Sequence, residues 1–118
     1  MDWALAVDLG TSGPKVGLVA PDGRVLGGTN EPTALHLLPD GGCEQDPDDW
    51  WRAITNAAAR VVQAHPAEAA RVVAVGVTAQ WSGTVPVGAD LRPVGRAIIW
   101  LDHRGAAAVR RVIWGPVR

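Results

Sequence analysis

The segment DLGTSGPK, from Asp8 to Lys15, has the composition of a turn that could bind phosphate. The Asp8 carboxylate could hold Mg²⁺ directly or through water, because Mg²⁺ in proteins usually keeps several waters. Small residues from Gly10 onward expose successive backbone N–H groups, which can form a concave anion site. Thr11 and Ser12 add hydroxyl donors, and Lys15, the only lysine of the chain, adds a charge suited to phosphate.

Two familiar phosphate-binding motifs are excluded at this turn. GTSGPK lacks the GxxxxGK[ST] spacing of a P-loop, and no GxGxxG opens a helix here. The apolar runs WALAV and VGLVA on either side indicate that the turn joins one strand to another. The residues alone leave two interpretations open: a phosphate site, or an ordinary hairpin in which Asp8 caps the turn.

Three short strands are predicted around this turn, over residues 3–7, 16–20 and 25–29, and their short connections favour an antiparallel meander. The second connection, PDGR, is a tight-turn signal. Residues 30–43 are rich in Pro and Gly and are predicted to form a loop.

A helix is predicted to begin at QDPDDWW, with Asp46 as N-cap and Pro47 in the first helical position. The His-Pro pair at residues 65–66 should end it. Its apolar stripe predicts the buried side: Trp50, Ile54, Ala57 and Val61, widened by Trp51, Ala58 and Val62. Both tryptophans are accordingly expected to pack in the core.

The second half of the chain predicts further strands. Residues 71–77 form a β-branched run typical of a strand buried on both faces, and a strand that follows a helix should lie parallel to an earlier one. A hairpin turning at residues 88–90, a strand over 97–100 and the start of a helix over 106–113 follow. The predicted order is therefore β-β-β-α-β, then a hairpin, a strand and a helix.

Composition narrows the possible classes of protein. A chain of 118 residues fits at most one domain, and a net charge of −1 gives no general attraction for nucleic acid or membranes. A single cysteine, Cys43, excludes an internal disulfide and a cysteine metal cluster. The N-terminus lacks the basic and apolar regions of a signal peptide, and no apolar run is long enough to span a bilayer. We expect a soluble, cytoplasmic chain that binds neither nucleic acid nor membrane.

Four blocks, in the right order, resemble the FGGY family of carbohydrate kinases, in particular its xylulokinase-like members. They are AVDLGTSGPKVGLVAPDGRVL, EQDPDDWW, VVAVGVTAQWSG and RPVGRAIIWLDHRG. The resemblance covers roughly residues 4 to 112 and implies an α/β, ribonuclease H-like fold of the actin and hexokinase type of ATPase. This chain would form a partial N-terminal domain with a mixed β-sheet over residues 1–112, followed by an unmatched tail over residues 113–118.

The resemblance also implies a role for each matching residue. Asp8 would lie near the Mg²⁺-nucleotide and hold the metal through water. The phosphate path would be lined by Gly10, Thr11, Ser12 and Lys15. The sugar side would be formed by Gln80, Trp81, Ser82, Trp100, Asp102 and Arg104. The residues leave open whether Trp100 is core or sugar wall, and whether Asp102 and Arg104 pair with each other or cap the next helix.

Two departures from the family pattern qualify the expected activity. Xylulokinases usually carry Met-His-Gly where this chain has Trp81, Ser82 and Gly83, so another ketose or a polyol is a plausible substrate. Family members are also several times longer, and their catalytic base lies later in the sequence, beyond this chain, as does most of their adenosine site. The resemblance implies a kinase that uses ATP and Mg²⁺, with an N-terminal fragment that is inactive alone.

The sequence is also compatible with classes of function other than a kinase fragment. The chain could be a non-catalytic module that binds a sugar or pairs with a separate chain. An actin-like or heat-shock-chaperone-like ATPase shares the first hairpin, but EQDP and the W-x-D-x-R block argue against it. Full-length FGGY kinases are often dimeric, which leaves the oligomeric state of this chain open.

Overall fold

The computed structural model describes residues 1–113 and Gly115. Ten elements are formed by these residues. The strands are β1 (Trp3–Gly10), β2 (Gly13–Val19), β3 (Val25–Asn30), β4 (His36–Leu37), β5 (Cys43–Gln45), β6 (Val72–Ala79) and β7 (Ala97–Ile98). The helices are α1 (Pro47–Ala64), α2 (Pro66–Ala69) and α3 (Ala106–Ile113).

The larger sheet has the strand order β3-β2-β1-β6. β1 pairs with β2 and β2 with β3 in antiparallel fashion, which confirms the predicted meander. β6 lies parallel to β1, also as predicted for a strand that follows a helix. Because β1 is central and β6 parallel to it, the carboxyl ends of both strands lie at the same edge of the sheet, beside the turn between β1 and β2.

Helix α1 begins and ends where its sequence signals predict. The Asp46 side chain accepts a hydrogen bond of 2.9 Å from the backbone N–H of Asp48, and Pro47 opens the first turn. The helix packs against the sheet mainly through β2. The core joins the sheet to the helix through Trp3, Val7, Val16, Leu18, Ala20, Ala57 and Val61.

The buried stripe of α1 differs from the predicted one. Ala53, Ala57 and Val61 are buried, and their small size lets the helix approach the sheet closely. Trp50 is half-buried, and Trp51 is 69% exposed, so the prediction of core packing is wrong for Trp51. The buried side of α1 is therefore centred on Ala53 and Ala57. Where alanine side chains bring the helix close to the sheet, there is no room for the larger indole of Trp51.

Strand β6 is exposed over nearly its whole length, so the prediction of burial on both faces is wrong. Its pairing to β1 is as expected, but it forms the outer strand of the sheet and α1 lies over β2 and β3. The side chains of Val73, Val75 and Val77 are 63 to 71% exposed. A β-branched run identifies the strand, whereas its burial depends on what packs against it.

A smaller sheet, β4-β5-β7, replaces part of the loop predicted over residues 30–43. β7 is shorter than predicted, because the chain turns directly after it, with the Asp102 N–H bonded to the Ile99 carbonyl at 2.9 Å. The reversal near residues 88–90 is confirmed, since the Gly88 N–H bonds the Arg92 carbonyl at 2.8 Å. Helix α2 was not predicted.

The end of the chain agrees with the sequence pattern as far as it is described. Helix α3 spans Ala106–Ile113, as predicted. Apart from Ile113 and Gly115, the tail predicted over residues 113–118 lies outside the described residues. Within the described part of the chain, none of the helices is both long and apolar enough to cross a membrane.

Candidate functional site

The hairpin end of β1 and β2 carries an acid and a base side by side. Asp8 and Lys15 are direct cross-strand partners, and the Lys15 Nζ lies 3.8 Å from the Asp8 Oδ2. Both side chains are half or more exposed, so the pair itself adds little stability. A carboxylate and an ammonium group are thereby available to solvent at the mouth of the turn.

The turn between these strands is fixed by the segment that runs over it. Gly13 has a φ of +133°, and a Cβ there would overlap the backbone carbonyl oxygen of Glu31. The Ser12 carbonyl accepts a hydrogen bond of 3.3 Å from the Thr33 N–H, while the Ser12 side chain is exposed. Residues 31–33 therefore press against the turn and hold its shape, and only a glycine allows that approach.

The carboxyl end of β6 delivers Gln80 to the same turn. The Gln80 N–H donates to the Leu9 carbonyl at 2.8 Å, which continues the β1–β6 pairing by one residue. The Thr11 hydroxyl donates to the Gln80 Oε1 at 3.0 Å, and the Trp100 indole N–H donates to the Thr11 Oγ1 at 3.0 Å. Residues predicted for phosphate and residues predicted for sugar thus meet at Thr11.

Three of the six predicted sugar-side residues, Trp81, Ser82 and Trp100, are accessible to solvent. Trp81 follows β6 in an exposed turn with its side chain 74% exposed, and Ser82 there has a φ of +53°. Trp100 is 44% exposed, so it is not a core residue, and its one indole N–H is bound to Thr11. Two aromatic faces are therefore open on the side of the turn where β6 ends.

Gln45 is a site residue that sequence reasoning missed. It ends β5, is fully buried, and donates from Nε2 to the Thr11 carbonyl at 2.8 Å. Its Oε1 accepts from the Gln80 Nε2 at 2.7 Å and from the Trp50 indole at 3.3 Å. The sequence pattern assigns EQDP to the start of a helix and so predicts no strand over these residues. The signal for burial of Gln45 is its position two residues after Cys43, which places both side chains on the same face of a strand.

Asp102 and Arg104 pair with each other rather than with the following helix. The Arg104 Nη2 lies 2.6 Å from the Asp102 Oδ2, and it also reaches the Glu44 Oε1 at 2.8 Å. The Asp102 carboxylate accepts from the Cys43 N–H at 2.8 Å. This cluster ties the turn that carries Trp100 to strand β5. Its polar atoms are already committed to one another, which favours positioning over direct contact with a ligand.

The same cluster shifts the pKa of its carboxyl group. Hydrogen bonds from Arg104, and then from the Cys43 N–H, hold the pKa of Asp102 well below its usual range. A lowered folded-state pKa contributes stability that is complete above the unfolded value, near 3.9, and is lost as the pH falls below it.

We expect Asp102→Asn to make the free energy of unfolding less dependent on pH in the acid range. In urea unfolding from pH 6 down to about pH 2, the native chain should lose more stability than the variant, because only the native carboxyl must take up a proton. Asp2→Asn is the control, since Asp2 lies 3.9 Å from Arg71 at the surface and should leave the curve unchanged. An equal loss of stability with falling pH in the native chain and in Asp102→Asn would contradict a lowered pKa for Asp102.

A magnesium ion fits the site only in a limited way. Among residues 1–113 and Gly115, no group of three His, Cys, Asp or Glu side chains is placed to hold a metal. Asp8 offers one accessible carboxylate, which is compatible with an ion that keeps most of its waters and takes other ligands from phosphate. A single carboxylate could hold Mg²⁺ only together with waters and with ligands from another molecule.

Comparisons with known proteins identify the family to which the chain is related. Residues 3–114 match the sequence profile of the FGGY family of carbohydrate kinases, N-terminal domain. The chain is 36% identical over 104 residues to a glycerol kinase of Rhodospirillum centenum and 33% over 102 residues to a xylulose kinase of Escherichia coli. These alignments cover 87% and 86% of this chain and 21% of each relative. The chain thus spans about a fifth of the length of these relatives.

Solved structures give the same result. A xyloylose kinase from Brucella ovis superposes with a TM-score of 0.82 at 29% identity, over 96% of this chain and 25% of that one. A xylulose kinase from Rhodospirillum rubrum superposes with a TM-score of 0.87 at 21% identity, over 97% of this chain and 24% of that one. The predicted actin and hexokinase type of fold is confirmed for the shared region. The chain belongs to the FGGY family of carbohydrate kinases.

Proposed function

We propose that this chain supplies the phosphate turn and part of the acceptor site of a carbohydrate kinase. The reaction would move the γ-phosphoryl group of ATP, with Mg²⁺, onto a hydroxyl of a sugar or polyol. One observation carries the proposal: Thr11 of the phosphate turn is hydrogen-bonded to Gln80 and to Trp100, both on the proposed acceptor side. Phosphoryl transfer depends chiefly on such placement of donor beside acceptor.

On the phosphate side, the proposed donors are the backbone N–H groups from Gly10 to Ser12 and the Lys15 ammonium. Lys15 is 63% exposed and its nearest charge is the Asp8 carboxylate at 3.8 Å, so it can turn toward an anion at little cost. Asp8 would hold the waters of Mg²⁺, whose charge offsets the negative charge of the phosphates when the ion is bound.

On the acceptor side, the exposed rings of Trp81 and Trp100 suit the apolar face of a sugar or polyol chain. Gln80 would offer a carboxamide to a hydroxyl beside them. Asp102 and Arg104 would act through the backbone, since their charges are satisfied by each other and by Glu44. Relatives named glycerol, xylulose and erythritol kinase agree with a polyol or ketose acceptor and do not select one.

Binding at the turn can be tested without turnover. We expect Mg-ATP to shift the backbone amide resonances of residues 10–13 and Lys15 in an NMR titration. Lys15→Ala should weaken that binding about tenfold through loss of a charge-assisted contact. Arg24→Ala is the matched control, because Arg24 is also an exposed hairpin cation, 3.8 Å from Asp22. Shifts spread over the whole surface, or equal effects of both variants, would argue against a phosphate turn.

The chain alone is not expected to phosphorylate a sugar. The family resemblance places the base that orients the acceptor hydroxyl later in the sequence, and without such a base transfer is slow. Incubation of the chain with Mg-ATP and glycerol, xylulose or erythritol should yield no phosphorylated product above a protein-free blank. Turnover that Lys15→Ala abolishes would show instead that residues 1–118 are sufficient.

A second candidate function is a non-catalytic module that binds a sugar or pairs with a separate chain. The exposed valines of β6, Val73, Val75 and Val77, favour it, because a row of apolar side chains on an outer strand is a surface that polypeptides cover. A cooperative melt of a monomer, together with sugar binding by calorimetry in the absence of ATP, would support this module over the kinase role.

A further inference from the structure

Gln45 is the one polar residue in the described core, and each end of its carboxamide is satisfied. Trp50 can only donate at its indole nitrogen, so the atom facing it must be the Gln45 Oε1. The carbonyls of Thr11 and Ala34 can only accept, at 2.8 and 3.3 Å, so the atom facing them must be Nε2. The amide of Gln45 therefore has a single orientation set by its surroundings.

This orientation is passed on to the neighbouring groups. Because the Gln45 Oε1 accepts, Gln80 must present its Nε2 there, at 2.7 Å, and its Oε1 toward Thr11. The Thr11 hydroxyl must then give its proton to Gln80, and its oxygen is left to accept from the Trp100 indole. We call the hydrogen-bonded series Gln45, Gln80, Thr11 and Trp100 the amide relay.

We propose that Gln45 is a positioning residue that orients the Gln80 carboxamide and, through it, the Thr11 hydroxyl, and so holds Trp100 and Gln80 in register with the phosphate turn. The proposal rests on the proposed function, because the relay joins the phosphate side of that site to its acceptor side. It also assigns Thr11 a positioning role. Since the Thr11 proton is given to Gln80, phosphate would be met by backbone N–H groups and Lys15.

The test replaces Gln45 by a group of the same shape whose polarity can be switched. In Gln45→Glu, the protonated carboxyl can donate to the Thr11 carbonyl and accept from Gln80. The ionised carboxyl still accepts from Gln80 but cannot donate, so two oxygens oppose each other at the Thr11 carbonyl and displace the residue that holds the Trp100 indole. Burial should raise the pKa of the introduced group, so the switch should fall between about pH 5 and pH 8. The hydrogen-bond partners of Gln45 carry no titratable side chain, and the adjacent Glu44 is paired with Arg104.

The readout is the Trp100 indole N–H, which does not touch Gln45. At pH 5 we expect the NMR resonance of this N–H in Gln45→Glu to match that of the native chain. At pH 8 the resonance should shift. Its hydrogen exchange should then be about fivefold faster than in the native chain at the same pH, as for loss of one ordinary hydrogen bond. Gln63→Glu, on the exposed side of α1, is the matched control and should show no such change. The exposed Trp51 indole should stay constant throughout.

A second variant keeps the proposal testable if Gln45→Glu does not fold. Gln80→Leu, at a partly exposed position, removes the acceptor that holds the Thr11 hydroxyl in place, so the Thr11 oxygen should move and the Trp100 indole should be released to a similar extent. An unchanged Trp100 signal in either folded variant overturns the proposal. Failure of the proposed function is a separate result, since it would appear as no shift of residues 10–15 with Mg-ATP while the Trp100 indole still responds.

Discussion

Gly13→Ala is expected to lower the free energy of unfolding by about 3 kcal/mol or more. Two independent costs meet at this position. A φ of +133° is a conformation that side-chain-bearing residues rarely adopt, and the added Cβ would overlap the Glu31 carbonyl oxygen. Relief would require backbone movement in residues 31–32, since the conflicting atoms are not at the flexible end of a side chain.

Gly28→Ala in the neighbouring strand β3 is the matched control. A Cβ there meets nothing within 4 Å and the backbone carries no positive φ, so the change should be neutral within about 0.5 kcal/mol or slightly stabilising. Both variants should be compared by urea unfolding. If Gly13→Ala is as stable as Gly28→Ala, residues 31–33 do not hold the proposed phosphate turn in a fixed shape.

Much of the larger sheet is predictable because its signals are local. The turn DLGTSG sits between two apolar runs, so pairing of Asp8 with Lys15 follows from the hairpin alone. Asp46 and Pro47 likewise specify the start of α1 by satisfying its free N–H groups. Such features depend on a few neighbouring residues, which is why the hairpin and the start of α1 were recognised, although β1 and β2 each extend three residues further into the turn than predicted.

The features that were missed depend on contacts between distant segments. Gln45 meets Thr11 and Gln80, which lie 34 and 35 residues away in the chain, so no local pattern marks it as a site residue. The exposure of Trp51 follows from which side of α1 the sheet approaches. Strand β6 is exposed because no layer among the described residues covers it. A run of apolar residues does not show whether another element packs against the strand.

Leu18→Ala is expected to cost about 2–5 kcal/mol of unfolding free energy. Leu18 lies one residue before the end of β2, is fully buried, and belongs to the core that joins the sheet to α1. Truncation removes apolar burial and leaves a cavity that the paired strands on both sides cannot readily close. Of the buried positions in the described core, it holds the largest fully buried side chain.

The matched control for this variant is Leu37→Ala, since Leu37 is 71% exposed in β4 and should change stability by no more than about 0.5 kcal/mol. The comparison also decides whether the chain has a packed core without other segments. A native core separates the two variants in urea unfolding and in near-ultraviolet circular dichroism, whereas a loosely packed chain responds to both alike. Equal effects would mean that β2 and α1 need a further layer over β6 before they pack, and the proposed phosphate turn would then form only when such a layer is present.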